Sequence, residues 1–202
     1  MNDMQNETHP RHLARADAYR LLSACYYEPE EAFLEEDIFG QLKTAMATLA
    51  PERVADVAAM EDDFRSSGIE ALTLDYTRLF LGPFGILAKP YGSVYLEAEN
   101  VVMGETTMQA MALYREGGFE VADDFREVPD HVALELEFLY LLTLRLNAEP
   151  EIEALKHRFL GENLGKWVGE FADAMRNGAE TGFYKQLADM TQQVVTEDMQ
   201  ER

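Results

Sequence analysis

The sequence predicts an all-α fold, a single compact domain of about ten helices. Apolar residues make up 47% of the 202 residues and recur at helical spacing along most of the chain, which suits one domain with a substantial core. Glycine and proline interrupt this pattern at intervals, and no useful stretch shows the alternation of a half-buried strand. Residues 1–10 are polar and predict a disordered N-terminus, so the helical domain is expected over residues 11–200.

The interruptions define the individual helices. A first helix is predicted over 11–27, because Pro29 stops it. Residues 30–50 predict one helix or two short ones, and Pro51 opens the next, which ends at Ser66-Ser67-Gly68. Residues 82–99 are rich in glycine and proline and predict an irregular loop that carries Phe84, Tyr91 and Tyr95. Further helices are predicted over 69–81, from 100 or 104 to 115, and over 132–147, 151–159, 162–177 and 181–200.

The segment 132–146 is the most apolar of the chain. A helix that is apolar on most sides is buried among other helices, so this segment predicts a central helix. Pro129 and Asp130 precede it, and proline in the first turn with aspartate as a cap is a typical helix start. The sequence therefore predicts a corner at which Asp130 caps the central helix and His131 lies in its first turn.

Composition excludes several classes of protein. The net charge of −21 repels phosphate backbones, so nucleic-acid binding is not expected, and it favours a cationic partner or serves solubility alone. Cys25 is the single cysteine, so no intrachain disulfide forms and a buried core thiol is expected. Neither a secretory signal nor an apolar run of about 20 residues is present, which predicts a soluble cytoplasmic protein without membrane insertion.

Catalytic and metal-binding patterns are missing as well. The sequence has no phosphate-binding loop of the Gly-x-x-x-x-Gly-Lys type, and Ser93 lacks the flanking residues of a nucleophile elbow. His131 and Glu135 share a helix face, but no Glu-x-x-His motif accompanies them, so no metal site is expected. The chain is predicted not to be an enzyme.

Three motifs together resemble a known family. Tyr-Thr-Arg-Leu-Phe-Leu-Gly at 76–82, Pro-Tyr-Gly-Ser-Val-Tyr-Leu at 90–96 and Glu-Val-Pro-Asp-His at 127–131 are similar to signatures of the TorD/DmsD family of cytoplasmic redox-enzyme maturation chaperones, which is related to the NarJ group. The aromatic residues from Trp167 to Leu187 resemble the family's closing helices, so the resemblance covers residues 11–195. Val128 departs from the family, since some relatives have proline directly after the glutamate.

The resemblance implies a non-enzymatic helical protein. Members bind the twin-arginine signal peptide or the N-terminus of a molybdopterin oxidoreductase subunit, and they hold this client in the cytoplasm until its cofactor is inserted. Carried over by position, the implied peptide-binding residues are Tyr76, Leu79, Phe80, Pro90, Tyr91, Ser93, Tyr95, Gly104, Glu127, Asp130 and His131.

The charges of the chain agree with this implication. A twin-arginine signal carries positive charge followed by an apolar stretch, and its receptor needs carboxylates beside an aromatic surface. Asp123, Asp124, Glu127 and Asp130 are expected to lie beside the aromatic loop in the fold. Because desolvated arginine–carboxylate contacts are stronger than screened surface pairs, a groove is expected and not a flat patch.

Several alternatives stay open at this stage. The client is a signal peptide or a segment of a nitrate-reductase-type subunit that is not exported. A rival class is a helical enzyme that depends on a metal or binds GTP, which the family resemblance allows; without a phosphate loop a GTP site would be weak. A third is a purely structural adaptor. The protein is expected to be a monomer or a dimer that exchanges helices through the Gly/Pro-rich connections.

Overall fold

The computed structural model describes residues 2–82, 85–98, 102–121 and 127–201, with side chains from residue 9 onward. Over these residues it contains ten α-helices and no strand, so the predicted all-α fold is confirmed. The helices are α1 (Asn2–Ala24), α2 (Ala32–Glu35), α3 (Ile38–Leu49), α4 (Val54–Tyr76), α5 (Gly92–Leu96), α6 (Glu105–Glu116), α7 (Val132–Arg145), α8 (Ile152–Glu162), α9 (Leu164–Gly178) and α10 (Gly182–Gln200).

Helix α7 is the predicted central helix. Val132, Leu136 and Leu139 are fully buried, and α7 packs along α1 on one side and against α8 and α9 on others. Phe138 contacts the ring of Tyr114 on α6 at 4.8 Å and that of Phe159 on α8 at 4.9 Å, both edge to face. Such pairs of buried rings add to the burial of apolar surface. The aromatic residues of α6 and α8 therefore hold α7 in the core.

A buried ion cluster joins α1, α8 and α10. Asp198 is 2% exposed, and its carboxylate accepts hydrogen bonds from Lys156 Nζ at 2.7 Å and from Tyr19 Oη at 2.6 Å. Arg15 lies 3.9 Å from the same carboxylate and also donates to the carbonyl oxygen of Val194. Charges this deeply buried require partners, so the cluster fixes the relative positions of the three helices.

The helix boundaries differ from the predicted ones in three places. Helix α1 begins at Asn2 and so includes most of the segment for which a disordered N-terminus is predicted. The predicted break at Gly68 exists as a kink inside α4, where glycine adopts φ 72° and ψ 155°. The predicted irregular loop contains the short helix α5, and α4 is followed directly by one π-helical turn, Thr77–Leu81.

Cys25 is confirmed as a core thiol. It is fully buried, and burial raises the pKa of the thiol to about 12, so it stays protonated and unreactive at neutral pH. Within the described ranges, no helix is both long and apolar enough to span a bilayer.

Candidate functional site

The loop before α5 is bonded to the corner that begins α7. Tyr91 and His131 form an antiparallel backbone bridge. The Gly92 amide donates to the Asp130 carbonyl oxygen at 2.9 Å, and the Val132 amide donates to the Pro90 carbonyl oxygen at 2.8 Å. The motifs at 90–96 and 127–131, which are far apart in sequence, are therefore one structural unit.

The capping roles in this unit differ from the prediction. The N-cap of α7 is His131, whose Nδ1 accepts a hydrogen bond from the Ala133 amide at 3.2 Å. Asp130 caps α5 instead, because its Oδ2 accepts from the Ser93 amide at 2.6 Å. The prediction that Asp130 caps the central helix was thus wrong: the chain is extended at His131, and this turns the Asp130 carboxylate toward α5.

His131 is held as a neutral imidazole. It is 5% exposed, and its ring packs edge to face on Tyr91 with 5.4 Å between centroids. Burial lowers the pKa of His131 to about 4. An imidazole that accepts a hydrogen bond at Nδ1 carries its proton at Nε2, so the neutral form is the one that caps α7.

A second buried layer lies behind the loop. Trp167 of α9 donates its indole N–H to Oε2 of Glu135 on α7 at 3.1 Å, and the Tyr95 ring stacks on Trp167 at 5.5 Å. Glu135 is fully buried, and its burial, together with the charge of Asp130, raises the pKa of its carboxyl well above the usual value. In the sequence, Glu135 stands out only as a potential metal ligand beside His131. A glutamate within an otherwise apolar helix was the signal for this role.

Glycine is required at position 92 because Trp167 and Glu135 pack closely against it. A Cβ at this position would lie 2.9 Å from Trp167 Nε1 and 3.3 Å from Glu135 Oε1. Gly92→Ala is therefore expected to lower the free energy of unfolding by about 1–3 kcal/mol, the usual cost of overpacking a core. Urea unfolding measures this. Gly161→Ala in α8 is the matched control, since nothing lies within 4 Å of its Cβ, and it is expected to be neutral or slightly stabilising. Equal effects of both changes would contradict the prediction.

Tyrosines and carboxylates line the outer face of the unit. Tyr91 is partly exposed and donates its hydroxyl to Glu127 Oε2 at 2.7 Å. Burial and the charge of Glu127 raise the pKa of Tyr76 to about 12, and the same two causes, with Glu137, raise the pKa of Tyr27. Glu127 is thus close enough to affect both Tyr27, just after the end of α1, and Tyr76, at the end of α4.

A groove of about 460 Å³ continues this face between α1, α2 and α7. Its lining includes Tyr27 and Tyr140 and the carboxylates of Glu28, Glu36 and Glu137. Glu137 is exposed, and partial desolvation by its neighbours raises the pKa of its carboxyl. We call the face formed by these five residues with Tyr76, Tyr91 and Glu127 the acidic groove. Its five lining residues named above were not among the binding residues predicted from the sequence.

The predicted binding residues separate into two groups. Tyr76, Tyr91, Tyr95, Gly104 and Glu127 are partly exposed. The other six are buried and support the exposed ones from behind: Leu79, Phe80, Pro90, Ser93, Asp130 and His131. Leu79 and Phe80 pack in the core, and the other four form the hydrogen-bonded corner. Gly104 contacts Glu97, which caps α6 through Thr106. Phe84, Asp123 and Asp124 lie outside the described residues.

The arrangement suits recognition better than reaction. It offers fixed rings and carboxylates along a groove, and among the described residues no three or more His, Cys, Asp or Glu side chains are placed to hold a metal ion. Fold and site define the class as an all-helical protein with an acidic, tyrosine-lined recognition face.

Comparison with known proteins gives the family. A sequence profile described as nitrate reductase delta subunit matches residues 39–173. The chain is 31% identical over 175 residues to the Tat proofreading chaperone DmsD of Salmonella typhimurium, covering 85% of this chain and 82% of that protein. It is 27% identical over 209 residues to the chaperone protein TorD of Shewanella pealeana, covering 95% and 91%. This chain belongs to the TorD/DmsD family of redox enzyme maturation chaperones and is a chaperone, not an enzyme.

A solved structure supports the fold. A redox enzyme maturation protein from Archaeoglobus fulgidus superposes with a TM-score of 0.57 at 24% identity, covering 90% of this chain and 93% of that one. This likeness supports the fold, and the profile and the relatives confirm the family resemblance that the three motifs indicate.

Proposed function

We propose that this chaperone binds a cationic, partly apolar segment of a molybdenum oxidoreductase subunit in the acidic groove. The segment is the client's twin-arginine signal peptide or its N-terminus, and the chaperone holds it in the cytoplasm until the molybdopterin cofactor is inserted. The observation that carries the proposal is the continuity of tyrosine rings and carboxylates from Glu127 and Tyr91 to Glu137 and Tyr140.

The carboxylates of the acidic groove bind the positively charged part of the segment. Glu137 lies on the exposed side of α7, and partial desolvation by its neighbours raises the pKa of its carboxyl, so the ionised form is destabilised where it lies. A guanidinium placed beside it would stabilise that ionised form, so binding and ionisation favour each other. A partly desolvated contact of this kind is stronger than an exposed ion pair. Glu28 and Glu127 extend the same potential along the groove.

The tyrosine rings of the acidic groove bind the rest of the segment. Tyr27 is 41% exposed, and Tyr76, Tyr91 and Tyr140 are partly exposed, so rings are available along the groove. Arginine stacks on such rings through cation–π contact, and apolar side chains pack on them. A peptide with paired arginines followed by apolar residues therefore complements the groove in both charge and apolarity.

Calorimetry with a twin-arginine leader peptide tests the proposal. Glu137→Gln and Glu127→Gln are each expected to weaken binding about tenfold, because each removes one charge-assisted contact. Glu162→Gln, an exposed glutamate at the end of α8, is the matched control and is expected to leave the affinity unchanged. Circular dichroism confirms that the variants remain helical. Binding that is indifferent to Arg→Gln changes in the peptide would refute the signal-peptide proposal.

A second client class is favoured by the family itself. The matching profile is that of the nitrate reductase delta subunit, so a nitrate-reductase-type subunit that is not exported is the other candidate client. Pull-down with this chaperone, followed by identification of the bound subunit, separates the two. Capture of a subunit without a leader peptide would favour the second candidate. Neither candidate requires a cofactor bound to this chain, and a GTP-binding assay tests that expectation.

A further inference from the structure

The acidic groove lies along two helices that run antiparallel. Ser23, near the end of α1, donates to the Ala133 carbonyl oxygen at the start of α7 at 2.8 Å. Nδ1 of His12, much earlier in α1, lies 3.1 Å from Oδ1 of Asn147, just beyond the end of α7. The end of α1 therefore lies beside the corner that begins α7. We call this the corner end of the groove and the opposite one, further back along α1, the far end.

The floor of the groove is a strip of α1 and of the turn that follows it. Arg20, Ala24 and Tyr27 line the groove at i, i+4 and i+7, and Glu28 follows them at the corner end. A helical rise of about 1.5 Å per residue separates Arg20 from Glu28 by about 12 Å. An extended peptide covers this distance with about four residues. A bound client segment therefore meets both ends of the groove at once.

The corner end carries most of the negative charge. Burial and the charges of Glu127 and Glu28 raise the pKa of Tyr76 to about 12. Burial and the charges of Glu137 and Glu127 raise the pKa of Tyr27. Three carboxylates are thus close to the two tyrosines at this end.

The far end is much less negative. Arg20 is the one basic side chain among the described residues that line the groove. Its guanidinium donates to Oε1 of Gln41 on α3 at 3.0 Å and to Asp17, which is not part of the lining, at 3.4 Å. Gln41 also donates to the Glu36 carbonyl oxygen, which brings Glu36 of the lining near this end. Arg20 offsets part of the charge of these two carboxylates.

The two ends act separately on a bound segment. Their separation of about 12 Å exceeds the Debye length of about 8 Å at physiological ionic strength. A charged group at one end is therefore largely screened from the charges at the other. Paired arginines at the corner end would meet three carboxylates, whereas at the far end they would meet Arg20, and like charges placed together oppose binding.

We propose that the acidic groove accepts its client segment in one orientation, with the arginines at the corner end, and that Arg20 enforces this orientation. The inference rests on the proposed function. A segment in which the arginines come before the apolar residues then runs parallel to α7 and antiparallel to α1. Its apolar part lies over Ala24, Tyr140 and the methylene groups of Arg20.

Disulfide cross-linking of a twin-arginine leader peptide tests the orientation. Cys25 is buried, and burial raises its pKa to about 12, so an introduced cysteine is the one reactive thiol of the protein. Glu30→Cys places it two residues from Glu28 at the corner end, and Leu144→Cys places it on α7 one turn beyond Tyr140; both positions are exposed.

Two versions of the peptide are compared at each position. A peptide with its cysteine before the arginines is expected to react about fivefold faster with Glu30→Cys than with Leu144→Cys. A peptide with its cysteine after the apolar stretch is expected to show the opposite preference. Equal rates for both peptides at both positions, or the reversed pattern, would overturn the orientation. The proposed function would then stand, because the peptide still binds.

Arg20→Glu, combined with each reporter cysteine, tests the role of the guanidinium. The preference is expected to fall below about twofold, because the far end then attracts arginines as well. Arg158→Glu is the matched control: Arg158 lies on α8 and pairs with Glu116 outside the groove, and its side chain is 41% exposed against 43% for Arg20. It is expected to leave the preference unchanged.

The remaining outcomes also decide the inference. A preference that Arg20→Glu leaves at its wild-type value would show that Arg20 does not enforce the orientation. A leader peptide that does not bind in the calorimetry would refute the proposed function and, with it, this inference.

Discussion

Asp198→Ala is expected to lower the free energy of unfolding by about 3–5 kcal/mol, the usual cost of removing one partner from a buried ion pair. The change would leave Lys156, which is 5% exposed, without its carboxylate partner, and would leave Arg15, which is 2% exposed, with Glu201 at 2.8 Å as its remaining carboxylate. The Tyr19 hydroxyl would lose its acceptor at the same time. Urea unfolding monitored by circular dichroism at neutral pH measures the loss.

Asp189→Ala is the matched control on the same helix. Asp189 is exposed and pairs with Arg176 at 2.7 Å, so its removal is expected to change stability by less than about 1 kcal/mol. The double change Lys156→Met with Asp198→Asn should recover part of the loss, because it removes a charge together with its partner. If Asp198→Ala were as mild as Asp189→Ala, the cluster would not hold the helices together.

The order of the helices was predictable because its signals are local. The apolar run of α7 is buried on most of its sides, and Pro51, Gly68 and Pro129 each act on the residues next to them. A kink at Gly68 follows from glycine's freedom at positive φ, whatever the rest of the chain does. What the local pattern did not contain was α5, whose five residues are too few to show a helical period.

The site was predictable only in outline, because its bonds join residues distant in sequence. Asp130 looks like the cap of the helix it precedes, yet its carboxylate caps α5, 37 residues away. Glu135 accepts a hydrogen bond from Trp167, which is 32 residues away, and no rule of sequence spacing predicts this pair. The acidic groove depends likewise on how α1 and α2 pack beside α7, so Tyr27, Glu28 and Glu137 were not among the predicted residues.

The motifs at 90–96 and 127–131 each contain buried residues that fix the loop and exposed residues that the loop presents, and this division explains why they occur together. Asp130 accepts a hydrogen bond from the Ser93 amide and His131 accepts one from the Ala133 amide, and these two bonds fix the loop. Of the predicted binding residues in these two motifs, Tyr91, Tyr95 and Glu127 are partly exposed, so these are the ones that the proposed client could contact. A motif residue beneath the surface thus contributes to binding through the residues it positions, and its replacement should affect stability and affinity together.

The lowered pKa of His131 predicts that stability depends on pH. Its folded pKa of about 4 lies below the value of 6.5 for an unperturbed imidazole. Between these values the unfolded chain binds a proton that the folded chain does not, so stability rises with pH in this window. The contribution is complete above pH 6.5, is lost as the pH falls to about 4, and amounts to roughly 3 kcal/mol.

Protonation would also break the helix start. An imidazolium cannot accept the Ala133 amide at Nδ1, and a positive charge at the N-terminus of α7 opposes the helix dipole. His131→Asn keeps a good N-cap without a titrating group. The free energy of unfolding of the wild type, measured relative to His131→Asn by urea titration, is therefore expected to rise by roughly 3 kcal/mol from a pH of about 4 to above 6.5.

Taking the difference between the free energies of unfolding of the two proteins cancels the contributions of the other titrating groups. Glu135 has the opposite sign, because a carboxyl with a raised folded pKa loses stability as pH increases, but it is present in both proteins. His157→Asn is the matched control: His157 is exposed on α8, and its replacement is expected to leave the pH profile near that of the wild type. A flat difference between wild type and His131→Asn would mean that His131 is solvated in the folded protein, and the corner would then have to open in solution.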